Sequence, residues 1–459
     1  MHVAAKVDDN IVDLQARLDR VGREVLDTGQ AVTFEDFYAV MPSHAYLYRH
    51  SGDLWPAASI NSRLPSVEVG KDKDGKPAKI KASQWLDQNR PVEQLTWAPG
   101  EPQVVADRLV SNGGWIHRTG VSCFNLYLPP QRKAGDPDQA EVWIEHVQRV
   151  FGDDSKHIIE WLAHRVQRPG EKINHALLLG GAQGIGKDTI LEPVKHAVGP
   201  WNFSEVSPTQ ILGRFNGFLK SVILRVSEAR DLGEFDRFGF YDHMKAITAA
   251  PPDVLRCDEK NIREHSVFNV TGVIVTTNNK SNGIYLPPDD RRHFVAWSSL
   301  TKDDFTAQYW QRLWSWYATG GIWHVCAYLA DLKLADFDPK APPPKTSAFF
   351  EIVDANRAPE DAELADVLEI LHNPKAVTLA MLLQACQQNI SRTGEFAAWL
   401  EDRRNRRQIP HRLETAGYMP VRNPTAPRDG YWIISGKRQS VYARAELSTA
   451  EQLAAVRAL

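Results

Sequence analysis

Cysteine and long apolar runs are scarce in this sequence. Four cysteines occur among 459 residues, at positions 123, 257, 326 and 386, and no two of them form a C-x-x-C pair. This spacing argues against a disulfide framework and against a structural zinc site. No apolar run approaches the ~18 residues of a membrane span, and the first residues lack the apolar stretch of a signal peptide. We therefore expect a protein of the reducing cytoplasm with no membrane partner.

A large excess of charge of either sign is also absent. Lys and Arg number 54 against 57 Asp and Glu, which gives a net charge of −3. This balance does not exclude a nucleic-acid partner, because a local basic groove matters more than the sum. The length exceeds what one hydrophobic core usually serves, so we expect two or three domains.

Apolar periodicity and proline-rich connectors divide the chain into five segments. Residues 1–130 predict an α+β module that begins with a helix over 9–27, and residues 131–172 predict a helical collar with two amphipathic helices over 141–168. Residues 173–337 alternate strands and helices as α/β domains do, and end in a Trp-rich helical lid. Consecutive prolines predict a stiff linker at 338–346. Residues 347–459 are long enough for a separate domain.

The strongest local signal is a glycine-rich segment between an apolar strand and a helix. The strand HALLLG (175–180) precedes the pattern G-x-x-x-x-G-K, and the helical ILEPVKHAV follows it. Glycines let backbone N–H groups point at phosphate oxygens, the helix amino terminus favours anions, and a lysine reaches the β- and γ-phosphates. The segment therefore predicts an ATP site. The residues expected to surround the nucleotide are Gly181, Gln183, Gly184, Ile185, Gly186, Lys187, Asp188 and Thr189.

The position after Lys187 departs from the usual pattern. A Ser or Thr hydroxyl normally ligates Mg²⁺ there, whereas this chain has Asp188. Either the Asp188 carboxylate is the ligand, since hard cations prefer oxygen, or Thr189 takes this role after a small shift. The alternative for the whole segment is a glycine-rich turn that binds no ligand.

Two further strands end in polar residues. The strand over Val222–Val226 ends at Ser227-Glu228, and an acid at such a position can polarise water or hold Mg²⁺, so Glu228 is the expected catalytic base and a metal ligand. The strand VIV (273–275) ends in TTNN, where an amide can orient the attacking water. We assign Asn278 to this role, with Asn279 as the alternative. A surface Glu and an Asn-rich turn are the structural alternatives.

An arginine pair follows in the loop PPDDRRHF at 287–294. An arginine supplied by a neighbouring subunit can stabilise the charge of phosphoryl transfer. Arg291 or Arg292 fits that role, and a surface ion pair with Asp289 or Asp290 is the alternative.

The order of these motifs resembles a superfamily 3 helicase, and more narrowly the helicase part of phage and prophage primase–helicase proteins. Further stretches that support the resemblance are TWAPGEP (96–102), NLYLPP (125–130), WLAHRVQRPGEK (161–172), RFNGFLKS (214–221) and HRLETAGYMPVRNP (411–424). The resemblance implies an AAA+-like ATPase that forms a hexameric ring around single-stranded DNA, with ATP and Mg²⁺ between subunits. By matching position it makes Lys187 the phosphate-loop lysine, Glu228 the acidic-strand residue, Asn278 the sensor and Arg291 or Arg292 the finger. Asp188 and Ser227 depart from the family pattern.

Such helicases also carry a basic segment and a hairpin that faces the central pore. The corresponding region, 243–270, reads as strand, turn and strand, and Lys260 is the expected main DNA contact. A solvated, salt-bridged hairpin is the alternative. The candidate DNA contacts in this region are Lys245, Arg256, Lys260, Arg263 and His265.

The C-terminal segment is locally basic. Between 401 and 444 a helix is followed by two short strands around a loop, which is the outline of a winged helix, and the basic content suits a DNA backbone. An oligomerisation domain with a solvated basic face is the alternative. The arginines singled out as DNA contacts are Arg403, Arg404, Arg406 and Arg407.

Together these features predict an ATP-dependent DNA helicase or translocase of phage or mobile-element replication, active in the bacterial cytoplasm. No primase signature is visible, so a primase or polymerase would be a separate partner. The alternatives are an initiator that uses ATP only to switch its assembly state, or a P-loop phosphotransferase.

Overall fold

The computed structural model describes residues 32–71, 73–227, 233–260, 262–280, 284–355, 359–388, 390–403, 405–426 and 430–459. The chain has a mixed α/β fold and divides into two compact units, Met1–Ala355 and Asn356–Leu459. The helix expected over 9–27 lies outside the described residues. Within the described ranges, no helix is both long and apolar enough to cross a membrane.

The first part of unit 1 combines small sheets with two short helices. The strand orders are β3-β2-β1-β6 and β7-β9-β8, and β4 pairs with β5. Phe37, Tyr46, Ile60 and Leu86 are fully buried in one cluster of this part, so the first sheet and both helices share a small core. The elements are β1 (Phe37–Val40), β2 (Ala45–Tyr48), β3 (Leu54–Trp55), α1 (Ala57–Arg63), β4 (Val67–Lys71), β5 (Pro77–Ile80), α2 (Ala82–Asn89), β6 (Pro91–Val92), β7 (Gln94–Thr96), β8 (Val104–Ser111) and β9 (Gly114–Asn125).

Two amphipathic helices follow, α3 (Glu141–Phe151) and α4 (Ser155–Gln167). Trp143, Val147 and Val150 recur at helical spacing on α3 and are buried, which explains why this segment is helical. Helix α3 ends at Gly152, whose φ of 52° breaks the helical path. These helices pack in the same core as the central sheet.

The central sheet has five parallel strands in the order β11-β12-β15-β10-β16. Strands β10, β12 and β15 are buried at every position, as expected for strands covered on both faces. Because the strands are parallel, their carboxyl ends meet at one edge of the sheet. The elements are β10 (Ala176–Gly180), α5 (Lys187–Val198), β11 (Phe203–Val206), α6 (Pro208–Ile211), β12 (Ile223–Val226), α7 (Gly233–Thr248), β13 (Val254–Glu259), β14 (Ile262–Phe268), β15 (Gly272–Thr277) and β16 (His293–Trp297). Strands β13 and β14 form a separate antiparallel hairpin between β12 and β15 in the chain.

Helices α8 (Ala307–Trp316), α9 (Ile322–Asp331) and α10 (Ser347–Ala355) complete unit 1. Helix α10 begins the segment that the sequence assigns to a separate domain at 347–459, but it packs with unit 1 instead. The physical reason is its apolar face, since Phe349 and Ile352 are buried in the main core. The Thr346 hydroxyl also donates to Val295 O of β16 at 2.6 Å.

Unit 2 contains five helices and two small sheets in its described residues. Its elements are α11 (Pro359–Ile370), β17 (Ala376–Thr378), α12 (Leu379–Gln388), α13 (Ile390–Glu401), α14 (Ile409–Thr415), β18 (Tyr418–Pro420), β19 (Trp432–Ile434), β20 (Lys437–Gln439), β21 (Val441–Arg444) and α15 (Thr449–Arg457). The strand orders are β17-β21-β18 and β19-β20.

The two strands expected to form a wing do not pair with each other. Strand β18 pairs with β21, whereas β19 forms a hairpin with β20. Ser435 and Gly436, with φ of 49° and 73°, supply the two left-handed residues that a tight hairpin turn requires. This turn returns the chain immediately, so the partner of β19 is the next strand rather than β18.

Candidate nucleotide-binding site

A glycine loop joins β10 to α5 at the carboxyl edge of the central sheet. Gly181, Gly184 and Gly186 all have left-handed φ, of 137°, 83° and 89°. Residues other than glycine rarely adopt this backbone conformation, so the spacing of the glycines determines the shape of the loop. Ile185 is fully buried and anchors the loop in the core, while Gln183 and Gly184 are exposed.

His146 of α3 contacts the backbone of the glycine loop. Its Nε2 lies 3.2 Å from Gly186 O, and its Nδ1 lies 2.7 Å from the Tyr309 hydroxyl. A Cβ added to Gly186 would lie 2.5 Å from His146 Nε2, so only glycine fits there. Burial lowers the pKa of His146 to about 4, which keeps the ring neutral at physiological pH. Sequence reasoning did not single out His146, because no motif links it to the loop.

Lys187 is the first residue of α5 and is only 8% exposed. Its Nζ donates to the carbonyl oxygens of Gly181 and Ala182 at 2.6 and 2.8 Å. It also donates to Asn278 Oδ1 at 2.8 Å. Burial lowers the pKa of Lys187 to about 8, Asp188 opposes this shift, and Arg225 adds to it. The ammonium is therefore oriented within the loop by three oxygen acceptors.

Asn278 reaches Lys187 because β15 and β10 are parallel neighbours. Gly180 is in register with Thr277, so the residues that follow both strands emerge side by side. Asn279, the alternative to Asn278, forms a local turn in which Thr277 Oγ1 accepts its backbone N–H at 3.1 Å. The structure thus brings together Lys187 and Asn278.

Asp188 forms an ion pair with Arg225 of β12. Arg225 also pairs with Glu205 at 2.9 Å and lies 3.3 Å from Thr276 Oγ1. The arginine is buried, whereas the Asp188 side chain is 75% exposed. The guanidinium therefore neutralises the carboxylate that stands in the usual hydroxyl position.

Thr189, the other metal-ligand candidate, is 7% exposed, and its carbonyl accepts a 2.9 Å hydrogen bond from the Tyr317 hydroxyl. Its burial makes it a poorer candidate than Asp188 for an ion bound beside a nucleotide. Glu228, the expected base, lies outside the described residues. Strand β12 ends at Val226 on the same sheet edge as the glycine loop.

The structure does not bring Arg291 or Arg292 to Lys187. Both precede β16, whose first residue His293 is in register with Ala176 at the start of β10. The glycine loop follows Gly180, four residues further along, which corresponds to about 13 Å of extended strand. Arg291 is exposed and Arg292 is half-buried. The arginines therefore lie at the opposite edge of the sheet.

The basic residues of the hairpin region differ in their surroundings. Lys260 is exposed in the turn and makes no ion pair with a described residue. Lys245 pairs with Asp242 at 2.6 Å, and Arg256 is 76% exposed and pairs with Glu264 at 2.5 Å. The structure does not describe the side chain of Arg263.

A DNA contact at His265 does not agree with the structure, because its side chain is only 7% exposed. His265 sits opposite Cys257 in the hairpin, and its ring turns towards Glu259.

The C-terminal arginines belong to unit 2. Arg403 and Arg406 are exposed. Arg407 is the last residue of a short helical turn over Asn405–Arg407, and its side chain is not described. Arg404 lies outside the described residues. Exposure leaves Arg403 and Arg406 accessible to a polyanion.

A family of unknown function, DUF5906, matches residues 178–292, from within β10 to the residue before β16. None of the curated proteins matches this chain. The apo structure of the NrS-1 C-terminal region (305–718) has a TM-score of 0.55 and 14% identity, with 87% of this chain and 93% of that chain covered. Its A form apo structure has a TM-score of 0.52 and 15% identity, with 89% and 96% covered. At this identity the likeness shows a shared fold.

The X-ray structure of JCV helicase is a more distant neighbour. Its TM-score is 0.28 at 11% identity, with 48% of this chain and 59% of that chain covered. A score this low supports no argument about the fold or the site.

Proposed function

We propose that this protein is an ATP-dependent DNA helicase or translocase of the superfamily 3 type, acting in phage or mobile-element replication. The observation that carries the proposal is the contact between Lys187 and Asn278 across the glycine loop. A phosphate-binding lysine and a strand-end amide at one site can hold a nucleotide and respond to its γ-phosphate.

ATP fits the loop by its chemistry. The glycine backbone and the amino terminus of α5 favour an anion, and Lys187 carries the charge that the β- and γ-phosphates require. Mg²⁺ would be held by the phosphates together with Asp188, one of whose oxygens contacts Arg225. When bound, the ion neutralises charge that develops on the phosphates. Glu228 is the proposed base, because β12 ends at this edge of the sheet.

The position of Arg291 and Arg292 favours an oligomer. These arginines lie at the sheet edge opposite the loop, so a finger would have to come from another copy of the chain. A closed ring, proposed as a hexamer, provides such a neighbour at every site. The ring would surround single-stranded DNA.

The hairpin of β13 and β14 is the proposed DNA-moving element. Lys260 is exposed at its turn, which suits a phosphate contact. Arg403 and Arg406 of unit 2 would add a second basic contact. A separate primase or polymerase is the proposed partner, and the bacterial cytoplasm the proposed site of action.

Steady-state ATP hydrolysis with and without single-stranded DNA tests the proposal. We expect DNA to stimulate hydrolysis, and Lys187→Ala to abolish it while leaving the circular dichroism spectrum unchanged. Lys156→Ala is the matched control, since this exposed lysine of α4 lies outside the loop. Hydrolysis that ignores DNA would favour the ATP-switched initiator, or a phosphotransferase if a small acceptor stimulates it. Full activity in Lys187→Ala would reject the site.

A further inference from the structure

A second cluster of side chains with metal-ligand chemistry lies on the hairpin, outside the glycine loop. Cys257 is directly opposite His265 in the ladder between β13 and β14. Glu259 lies two residues after Cys257 on the same strand, and its carboxylate lies close to both the Cys257 sulfur and the His265 ring. The hairpin therefore places a thiol, an imidazole and a carboxylate on one face.

A β-bulge between Cys257 and Glu259 changes the register of the hairpin at this cluster. The register shifts there, with Glu259 opposite Ile262 rather than Arg263. Bulges of this kind re-aim side chains and are common beside functional sites. Here the shift falls within the segment that carries the three side chains.

The three ligand atoms are close enough for one ion. The Cys257 sulfur, a Glu259 carboxylate oxygen and a His265 ring nitrogen all lie within 4.8 Å of one another. His265 Nε2 is 4.0 Å from Glu259 Oε2. Tetrahedral zinc, with bonds of about 2.0–2.3 Å, separates its ligand atoms by about 3.3–3.8 Å. Side-chain adjustments of about 1 Å would close the site.

The three side chains of the cluster are largely buried, and neighbouring residues hold the Glu259 carboxylate in place. Cys257 is fully buried, and the side chains of His265 and Glu259 are 7% and 22% exposed. Lys220 Nζ lies 2.6 Å from Glu259 Oε2, so this contact helps to hold the carboxylate in place. A Cβ added to Gly217 would lie 2.7 Å from Glu259 Oε1, so this glycine leaves room for the carboxylate.

We propose that Cys257, Glu259 and His265 bind one Zn²⁺ ion, with water as the fourth ligand. A thiolate and an imidazole favour zinc over Mg²⁺ or Ca²⁺, which prefer oxygen ligands alone. On binding, the Cys257 thiol loses its proton to solvent and the Zn–S bond forms, with no change of oxidation state. The ion would rigidify the end of the hairpin next to the turn, where Glu259 directly precedes Lys260. This site differs from the C-x-x-C pattern whose absence argued against structural zinc.

Metal analysis of the full chain tests the proposal independently of ATP hydrolysis. Protein is purified without chelator, equilibrated with Zn²⁺, freed of excess metal and measured by mass spectrometry. We expect one zinc per chain, and Co²⁺ substitution to give the absorption of a thiolate–cobalt bond. Cys257→Ser and His265→Gln should each weaken zinc binding by more than about 100-fold, which exceeds the effect of changes outside the ligand set.

Cys326→Ser is the matched control, because Cys326 is also a buried free thiol but lies on α9. It should retain the metal. Wild-type protein that takes up no zinc and shows no thiolate–cobalt absorption would overturn the proposal. So would zinc that persists in both Cys257→Ser and His265→Gln. If Cys257→Ser does not fold, His265→Gln and the cobalt spectrum of the wild type decide the question.

Discussion

Lys187 Nζ donates a 2.8 Å hydrogen bond to Asn278 Oδ1, which connects the glycine loop to the end of β15. The two residues are 91 positions apart in the chain. They meet because β10 and β15 are parallel neighbours whose carboxyl ends share one edge. A ligand that draws Lys187 towards its phosphates would therefore release or reorient the Asn278 amide, which makes Asn278 a candidate sensor of occupancy.

Asn278→Ala should lower kcat for ATP hydrolysis by about 10²–10³-fold, the usual effect of removing one preorganised polar group from a reacting centre. Nucleotide affinity should change little, since Lys187 and the loop remain. The measurement is kcat and KM together with equilibrium binding of a fluorescent nucleotide. Asn279→Ala serves as the comparison. A larger loss of kcat in Asn279→Ala than in Asn278→Ala would transfer the sensor role to Asn279.

The lowered pKa of Lys187, about 8, predicts a pH dependence of nucleotide binding. Phosphate attracts the protonated ammonium, so affinity should be full below about pH 8 and fall as pH rises above it, by up to about tenfold per pH unit. The affinity is measured by nucleotide titration between about pH 7.5 and 9.5. Lys187→Arg keeps its charge throughout this range and should give a flat profile. A flat wild-type profile would contradict the prediction.

Local patterns were enough to predict the glycine loop. The strand before it, the spacing of Gly181, Gly184 and Gly186, and the helix after it are all encoded within a short segment. That the residues after β10 and after β15 lie at one edge of the sheet follows from a general property of parallel strands, although the direct pairing of β10 with β15 does not. In these places sequence and structure agree because the determinants are either local or shared by all such sheets.

Contacts that depend on which strands are neighbours could not be predicted. Arg225 stands alone in an apolar strand, which signals a buried charge in need of a partner, but its partners Asp188 and Glu205 follow only from the fold. The inward position of His265 likewise depends on the hairpin register. The pairing of β18 with β21 required knowledge of a strand some twenty residues later in the chain.

Removal of Arg225 should weaken nucleotide binding. Arg225→Ala leaves the Asp188 carboxylate without its cation beside an anion site, whereas Glu205 still pairs with Lys195, and the loss should be on the order of 10- to 100-fold in Kd. When affinity is measured without Mg²⁺, which Asp188 is proposed to hold, the double variant Arg225→Ala/Asp188→Asn should recover part of the loss, because it removes the unpaired negative charge. Arg214→Ala, which removes an 80% exposed arginine paired with Asp258, is the control. No recovery in the double variant would mean that Asp188 is not the source of the repulsion.

The free energy of unfolding should fall in acid because of two neighbouring histidines. His157 lies on α4, and His175 directly precedes β10. His157 Nε2 lies 3.0 Å from His175 Nε2, and burial lowers the pKa of His157 to about 4 and that of His175 to about 3. The unfolded chain binds these protons at about pH 6.5. Their contribution to the free energy of unfolding is therefore full above about pH 6.5 and is lost as pH falls towards 4.

His157→Phe should reduce this acid sensitivity. The new ring can keep the stacking on Phe294, where the centroids are 4.0 Å apart, and cannot take up a proton. We expect the difference in apparent melting temperature between about pH 7.5 and 5 to shrink relative to wild type. His117→Phe, at an exposed position, should leave that difference unchanged. An unchanged difference in His157→Phe would exclude this residue as a source of acid sensitivity.

Lys260→Ala should separate hydrolysis from DNA movement. Lys260 is exposed in the turn of the β13–β14 hairpin, whereas Lys187 and Asn278 lie at the carboxyl edge of the central sheet. Basal ATP hydrolysis should therefore persist, while DNA stimulation and strand displacement should be lost. The salt dependence of single-stranded DNA binding should also become shallower by about one phosphate contact per chain, a slope change of about 0.7 in log Kd against log salt.

Lys79→Ala provides the matched control, because Lys79 is 58% exposed on a different antiparallel hairpin of unit 1, formed by β4 and β5. It should leave hydrolysis, strand displacement and the salt dependence unchanged. Unwinding that survives Lys260→Ala would show that another basic surface moves the strand. The exposed Arg403 and Arg406 of unit 2 would then be the next residues to test.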